Sequence, residues 1–332
     1  MTLPDRIASR LTLPIVCAPM FLISGPRLVA AARRAGFIGA FPRQNTRTRA
    51  DFADWLARIR DAGEQAEEES GRPAGPLAVN IPTTTPLDDM AADLDLCVAY
   101  GVDIIITSVG KPDVITPLAH DRGLLVHHDA TSMTFAEKAI AAGVDGLNCI
   151  GAGGGGHSGT VSHLVFVPRL RSMFDGTISL AGAVATGGAV RAAEVLGADL
   201  AFVGTRFAAT TESLADPLQK KWIVNGDSRR LRYTAKVNGV PANWMLDSLE
   251  HHDIDIDALP EPVRRGHEHL PEGVRPWRDL WSAGQSIDLI HDAPTVAELA
   301  RRLAAEYLAA CDAPDRRNHA ATLLATAERT LP

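Results

Sequence analysis

The feature that most restricts this chain is a repeated alternation. Eight short apolar runs stand along it: IVCAP (15–19), FIGAF (37–41), LAVNI (77–81), DIIITS (103–108), LLVHHD (124–129), GLNCI (146–150), ISLAG (178–182) and LAFVG (200–204). Each is continuously apolar rather than alternating, the pattern of parallel strands buried on both faces. Between them lie Ala-rich segments with helical spacing, such as GPRLVAAARRAG (25–36), MTFAEKAIAAG (133–143) and GGAVRAAEVLG (187–197). Each of these ends in Gly, the residue favoured just past a helix C-terminus, and Ser132 and Thr186 stand where the N-caps of the last two belong. Eight strand–helix alternations predict an α/β fold, a (β/α)8 TIM barrel, with an open doubly wound sheet as the competing topology.

Two segments fall outside the plain alternation. One is an insertion at 42–76, a charge-rich helix FADWLARIRDAGEQAEEES followed by GRPAGP. The other is the tail, with a polar, Pro-rich stretch (254–276) and two helix-like segments, APTVAELARRLAAEYLAACD and RRNHAATLLATAER. The expected organisation is a barrel over 1–212 and a C-terminal extension over 213–332 that packs on it as a helical lid or subdomain. A length of 332 residues suits one such barrel with additions.

Composition narrows the function classes. With 46% hydrophobic and 22% charged residues the chain can build a large core. A net charge of −7 argues against broad binding to nucleic acid. No apolar stretch approaches the roughly 20 residues of a membrane helix, and the N-terminal MTLPDRIASRLTLPIVCAPM lacks the pattern of a signal peptide. Cys17, Cys97, Cys149 and Cys311 are widely spaced without C-x-x-C, so neither a disulfide framework nor a zinc site is expected, and a cytoplasmic setting is. The sequence leaves a homodimer open.

In such a barrel the ligand lies against the C-terminal ends of the strands. The residues there are Ala18-Pro19-Met20, Asn80, Thr107-Ser108, His128-Asp129, the loop Gly151–Gly159, Gly182-Ala183 and Gly204-Thr205. Glycine at a strand end exposes backbone N–H groups, which ahead of a helix form an anion cradle. LAGAVATGG (180–188) and VGTRF (203–207) both have this form, at the seventh and eighth positions where the fold commonly holds phosphate. In one loop such glycines would merely allow a tight turn; in two neighbours phosphate binding is the better reading.

The loop GAGGGGHSG (151–159) formally contains G-x-G-x-x-G at Gly151, Gly153 and Gly156. It follows the sixth run rather than the first, and Asp175 precedes the next strand instead of ending it, so a dinucleotide fingerprint is a poor match. Gly155 and Gly156 fit instead a side-chain-free floor for a flat ring, with His157 beside it. An imidazole of ordinary pKa, about 6.5, can move a proton there; a histidine bonding a loop carbonyl is the alternative. The pairs His127-His128 and His251-His252, and His267-Glu268-His269, lack shared-ligand spacing and read as surface or single hydrogen-bonding residues, His128 being the one to watch. Ser108 and Ser158 lack a G-x-S-x-G context, and Cys149 reads as a small packed hydrophobe. Trp244, Met245, Trp277 and Trp281 either roof a small apolar pocket or anchor the extension.

Taken in order, the APM strand end, the GGHSG loop, the glycine loop after the seventh run and the GTRF loop after the eighth resemble the nitronate monooxygenase family, formerly 2-nitropropane dioxygenases. That family is related to the FMN-dependent enoyl-ACP reductases. The resemblance runs from Pro14 to about Val224 and resumes at PWRDLWSAGQS (276–286). It implies a TIM barrel with non-covalent FMN. By position, Ala18, Pro19 and Met20 would line the flavin, and Asn80 would hydrogen-bond its ring edge. Gly182, Gly204 and Thr205 would hold the phosphate, and Gln285 would close over the ring. Ser108, Asp129, Gly155, Gly156 and Ala183 complete the expected cofactor-binding set, and His157 would be the catalytic base or position the substrate. The implied activity is oxidation of alkyl nitronates, or nitroalkanes, with O2 to carbonyl compounds and nitrite, through one-electron transfer to the flavin. An NAD(P)H-dependent FMN reductase of quinones or enoyl thioesters is the same-fold alternative, and a non-catalytic phosphate-ligand-binding barrel the other. Three departures bear on the substrate: GAGGGGH in place of GxEAGGH, an acid at Asp129, and Gly182-Ala183 in place of Gly-Gly.

Overall fold

The structure, a computed structural model, describes residues 3–314, 317 and 320–324. The apolar runs become β1 (Ile15–Cys17), β2 (Ile38–Pro42), β3 (Leu77–Pro82), β4 (Ile104–Ser108), β5 (Leu125–Ala130) and β6 (Gly146–Ile150). A short β7 (Gly156–His157) interrupts the series before β8 (Thr177–Ala181) and β9 (Leu200–Val203). The extension adds β10 (Leu231–Thr234) and β11 (Ala242–Met245). Strands β1 to β6 with β8 and β9 form a closed parallel barrel. Closure is made by β1, where Val16 lies opposite both Ile38 of β2 and Phe202 of β9, and this rules out the open sheet.

Both faces of each strand are buried, so the runs are apolar throughout. Ile15, Cys17, Val79, Ile105, Val126, Leu147 and Ile178 face outward and pack against the helices. Val16, Ile38, Ala40, Ala78, Ile104, Ile106 and Leu200 face inward, and Leu3 and Ile7 from the N-terminus plug the same cluster from below. Each fully buried aliphatic side chain contributes roughly 1.5–3 kcal/mol.

The helices begin and end where local chemistry directs. Ser132 and Thr186 cap theirs by accepting from the backbone N–H groups of Phe135 and Ala189. Gly36, Gly143 and Gly197 follow helix ends with positive φ. Within 42–76, a capping box of Thr48 and Asp51 starts the helix Arg49–Ser70. That helix connects β2 to β3 and packs on the helix Pro26–Arg34.

The extension covers two surfaces. The helix Val296–Cys311 joins the outer ring between the helices Gly187–Leu196 and Pro26–Arg34, burying Val296, Leu299 and Leu303. Its Glu306 Oε2 accepts from the N–H of Gly187 at 2.7 Å. The second helix-like segment, 316–329, lies largely outside the described residues. Over the strand tips, β10 and β11 join β7 in a small antiparallel sheet. Val237, Ala242, Trp244, Leu249, Ile254, Ile256, Leu270 and Leu280 form the core of this roof. Among the described residues no helix is long and apolar enough to cross a membrane, and no metal-binding group of side chains occurs.

Candidate active site

The tips of β1 and β9 meet on one side of the barrel mouth. A methyl group built on Gly204 would lie 3.7 Å from Met20 Sδ and 3.9 Å from Ala18 Cβ. The loop carrying Ala18, Pro19 and Met20 is fixed by Ser24, whose Oγ donates to Ala18 O (3.0 Å) and accepts from Met20 N–H (3.0 Å). Asn45 donates to Met20 O and Ser24 O and accepts from Leu22 N–H, which closes the turn. In the GTRF segment the arginine is structural: Arg206 is buried and donates to Asp292 O (2.6 Å) and Asp292 Oδ1 (3.1 Å).

The glycine loop is pressed between the barrel tips and the roof. A methyl on Gly155 would come within 2.9 Å of Gly284 N and 3.3 Å of Thr205 Oγ1, so the two predicted loops are in contact. Thr205 Oγ1 accepts from Gly284 N–H at 2.9 Å. Gly153 O accepts from Gln285 N–H (2.9 Å), and a methyl on Gly153 would meet Gln285 Oε1 at 2.9 Å and Ala183 Cβ at 3.2 Å. Gly156 N–H donates to Ser282 Oγ (3.1 Å), and Asn243 of β11 donates to Gly154 O (2.7 Å). Gly182 lies under the same loop; a methyl there would come 2.9 Å from His163 Nε2 and 3.0 Å from Gly154 N. Ala183 holds a left-handed φ of 57°, a conformation costly to any residue with a Cβ. Thus Gly155, Gly156, Gly182, Ala183, Gly204, Thr205 and Gln285 form one neighbourhood.

The opposite side of the mouth is polar. Asn80 donates to Ile106 O (3.2 Å) and Ser108 Oγ (3.3 Å). Asp129 pairs in register with Asn148, Asn148 with Ser179, and Ser179 with Leu200 of the inner cluster, so all four side chains face the barrel axis. Asn148 Nδ2 donates to Asp129 Oδ1 at 2.9 Å. Burial pushes the Asp129 carboxyl up to about 7, against the opposing pull of that hydrogen bond. His128 behaves otherwise than its strand-end position suggested. It pairs with Leu147 and therefore faces outward, where its Nδ1 meets Thr107 Oγ1 at 2.7 Å and burial holds its pKa down to about 4. His127, read as a surface or single hydrogen-bonding residue, is buried in the barrel, because two-residue periodicity places it on the face of Asp129.

His157 occupies β7 opposite Ala242, a member of the roof core. Its ring stands edge-on to Trp277 with centroids 5.1 Å apart, and its Nε2 lies 3.1 Å from Asn238 Nδ2. The residue keeps an exposed edge, yet its neighbours displace enough water to bring its pKa down to about 4; Arg265 acts in the same direction, and the Asn238 hydrogen bond opposes both. The imidazole is thus neutral at pH 7 and lies on the roof's face of β7. The tryptophans divide between the two readings. Trp244 is fully buried as an anchor, with Trp277 tilted against it, centroids 4.6 Å apart. Trp277 and Trp281 also line a rim cleft of about 320 Å³ with Leu22, Ile23 and Leu214. Cys149 is buried, and burial drives its thiol far above the ordinary range, as a packed hydrophobe requires. Sequence reasoning missed Asn148, Ser179 and Asn243. The first two were signalled as the lone polar residues of their runs; Asn243 carried no local signal.

A family model described as nitronate monooxygenase matches residues 41–306. The chain is 29% identical over 294 residues to the nitronate monooxygenase of Paraburkholderia phytofirmans, covering 75% of this chain and 78% of that one. It is 25% identical over 243 residues to the (3aS,4S,5R,7aS)-5-hydroxy-7a-methyl-1-oxo-octahydro-1H-indene-4-carboxyl-CoA dehydrogenase of Rhodococcus jostii, covering 72% of this chain. The match spans 65% of that dehydrogenase's length, just under two thirds. Among solved structures, nitroalkane oxidase from Streptomyces ansochromogenes superposes with a TM-score of 0.72 over 92% of this chain and 98% of that one; at 24% identity this is a likeness of fold.

Proposed function

Because the chain belongs to the nitronate monooxygenase family and is an oxidoreductase, we propose that it binds FMN at the barrel mouth and oxidises alkyl nitronates, or nitroalkanes, with O2 to carbonyl compounds and nitrite. The observation that carries this reading is the junction of the glycine loop with Thr205 and Gly284, a strip of bare backbone beside an inward-facing polar wall. At Gly153 and Gly155 the missing Cβ lets the roof and Thr205 approach, while at Gly156 a Cβ would meet nothing within 4 Å, and a planar ring would lie against the backbone there.

The residues present fit the group. Thr205 uses its oxygen to accept from Gly284 N–H and retains its hydroxyl proton for a phosphate oxygen. Gly182, Ala183 and Gly204 would add backbone N–H groups, and Ala18, Pro19 and Met20 would flank the ring. Asn80, held by Ser108, would present its amide to the ring edge. When bound, FMN supplies the electron acceptor; the protein orients substrate beside it and excludes water. His157, neutral at pH 7, would accept a hydrogen bond or a proton from substrate once its ring turns from Trp277 toward the mouth.

The test is a spectrum of the purified protein followed by FMN release and anaerobic mixing. Yellow protein that resists NADH but bleaches with propyl nitronate supports the monooxygenase. Similarity to the CoA-thioester dehydrogenase favours one other reading, an NAD(P)H-dependent reductase of thioesters or quinones, and prompt bleaching by NADH would establish it. A colourless protein that takes up no FMN overturns both.

A further inference from the structure

Resting on that reading, we propose that the rim cleft beside the barrel mouth takes the far end of the substrate, and that this end is an uncharged apolar group carrying a carbonyl or hydroxyl oxygen. The cleft, about 320 Å³, lies between the loop after β1, the start of the helix Pro217–Asn225 and the segment of Trp277 and Trp281. At roughly 30 Å³ for each water-sized group, it holds about ten non-hydrogen atoms.

The deciding group is Gln219. The residue is 4% exposed, and its side chain lines the cleft. Its amide makes no hydrogen bond among the described residues. The polar groups nearest it in sequence are engaged elsewhere: Lys220 Nζ donates to Ser213 O (3.0 Å), and Ser213 Oγ donates to Ala208 O (2.6 Å). A buried amide without a partner in its own chain is costly, and the partner must then come through the opening it lines. Gln219 Nε2 can donate to a carbonyl oxygen, and Oε1 can accept from a hydroxyl.

The walls define the rest of the ligand. Leu22, Ile23, Leu214, Trp277 and Trp281 give the cleft its apolar surface. Leu22 and Trp277, on facing sides, hold left-handed φ of 62° and 69°, a strain of the kind found at ligand clamps. Leu214 N–H donates to Ile23 O (2.9 Å), which ties two of the walls together. The charges at the lip, one of each sign, are already satisfied. Asp216 caps its helix by accepting from Leu218 N–H (2.7 Å), and Arg278 donates to Asp279 Oδ2 (2.7 Å). Neither is left to recruit a carboxylate, a phosphate or an ammonium group.

The cleft is continuous with the mouth. Leu22 follows Met20 by two residues, a span of at most about 7 Å, and Met20 faces Gly204 at the mouth. On the other side Trp277 stands edge-on to His157. A single molecule with its reacting carbon at the mouth can therefore run past Met20 and Leu22 and lay its tail against Trp277 and Trp281.

The experiment gives the FMN-loaded enzyme preformed nitronates of one chain length, made from 8-nitrooctan-2-one, 1-nitrooctane and 8-nitrooctanoate. In wild type, kcat/KM for the ketone should exceed that for the plain chain about tenfold, the size expected of one hydrogen bond to a buried amide, and the carboxylate should be the poorest of the three. In Gln219→Leu the advantage of the ketone should vanish. The urea midpoint of that variant should equal or exceed that of wild type, because no hydrogen bond within the chain is given up. Without FMN, octan-2-one should quench tryptophan fluorescence saturably, about fivefold or more weakly in Gln219→Leu, while octanoate at the same concentration should not. Equal kcat/KM for ketone and plain chain, an advantage that survives Gln219→Leu, or quenching by octanoate equal to that by octan-2-one overturns the proposal, while turnover of propyl nitronate keeps the monooxygenase reading. Gln219→Met repeats the test with an unbranched side chain, and midpoints well below wild type in both variants also overturn the proposal. Where neither variant folds, the wild-type ratio and the two titrations decide. Wild type that turns over no nitronate overturns the reading and this proposal together.

Discussion

Asp129→Asn should make the FMN-free protein more stable, and increasingly so as pH rises. The carboxyl has an ordinary value of 3.8 and is raised by burial to about 7 in the folded state. Between those values the unfolded chain has released the proton that the folded chain retains. The unfolded state then binds fewer protons, and stability falls as pH rises. The stability associated with the neutral acid is complete below pH 3.8 and is lost as pH climbs through about 7. One pKa unit corresponds to about 1.4 kcal/mol, so the full penalty approaches about 4 kcal/mol, and the part developed between pH 5 and pH 8 is about 2–3 kcal/mol. The asparagine carries no titration and still offers Oδ1 to Asn148, so it escapes the penalty while keeping the hydrogen bond. Urea unfolding of wild type and variant, followed by circular dichroism at pH 5 and pH 8, isolates the effect because every other titrating group is common to both. The stability difference should widen by about 2–3 kcal/mol in favour of the variant. A difference that stays constant within about 0.5 kcal/mol, or narrows, would refute the claim that this carboxyl is buried as an acid.

Other perturbations follow from the same geometry. Gly155→Ala drives a methyl toward Gly284 N and Thr205 Oγ1; it should cost about 1–3 kcal/mol by overpacking and weaken FMN at least tenfold, read by thermal unfolding and flavin-fluorescence titration. Thr205→Val leaves Gly284 N–H without its acceptor and should cost about 1–3 kcal/mol in urea unfolding. His127 and His128 are held down to about 4 from 6.5 by burial. The unfolded chain therefore takes up protons first as pH falls, and in the Asp129→Asn background, which removes the opposing titration, the protein should lose stability from pH 6.5 toward pH 4, seen as urea midpoints that drop across that window.

Much of this was legible because the barrel strands are buried on both faces and so stand out as unbroken apolar runs. That same property concealed which way each side chain points. With no polar face to set the phase, His128 and Asp129 looked equally placed at the mouth, and only the register through Asn148 and Ser179 to Leu200 assigns Asp129 to the axis. A cue was present: Asn80, Asn148 and Ser179 are each the lone polar residue of their run, and all three face inward. The roof left no comparable trace. The pairing of His157 with Ala242 joins positions 85 residues apart, and two-residue strands have no periodicity to read.

That difference has a physical basis that bears on the site. The barrel half is specified by local patterning, repeated eight times, and by a large shared core. The roof half is tied to the glycine loop by backbone groups of Gly153, Gly154 and Gly156, none of which depends on a side chain of the loop itself. A stretch of glycines can be gripped only through its backbone, so the partners must come from elsewhere: Asn243 and Ser282 supply side-chain groups and Gln285 its N–H, while Thr205 fixes the adjacent Gly284. The missing side chains of Gly153 and Gly155 are therefore what lets the roof pack this closely on the loop. Substituting Asn243, Ser282 and Thr205 should loosen ring binding while leaving the barrel beneath intact.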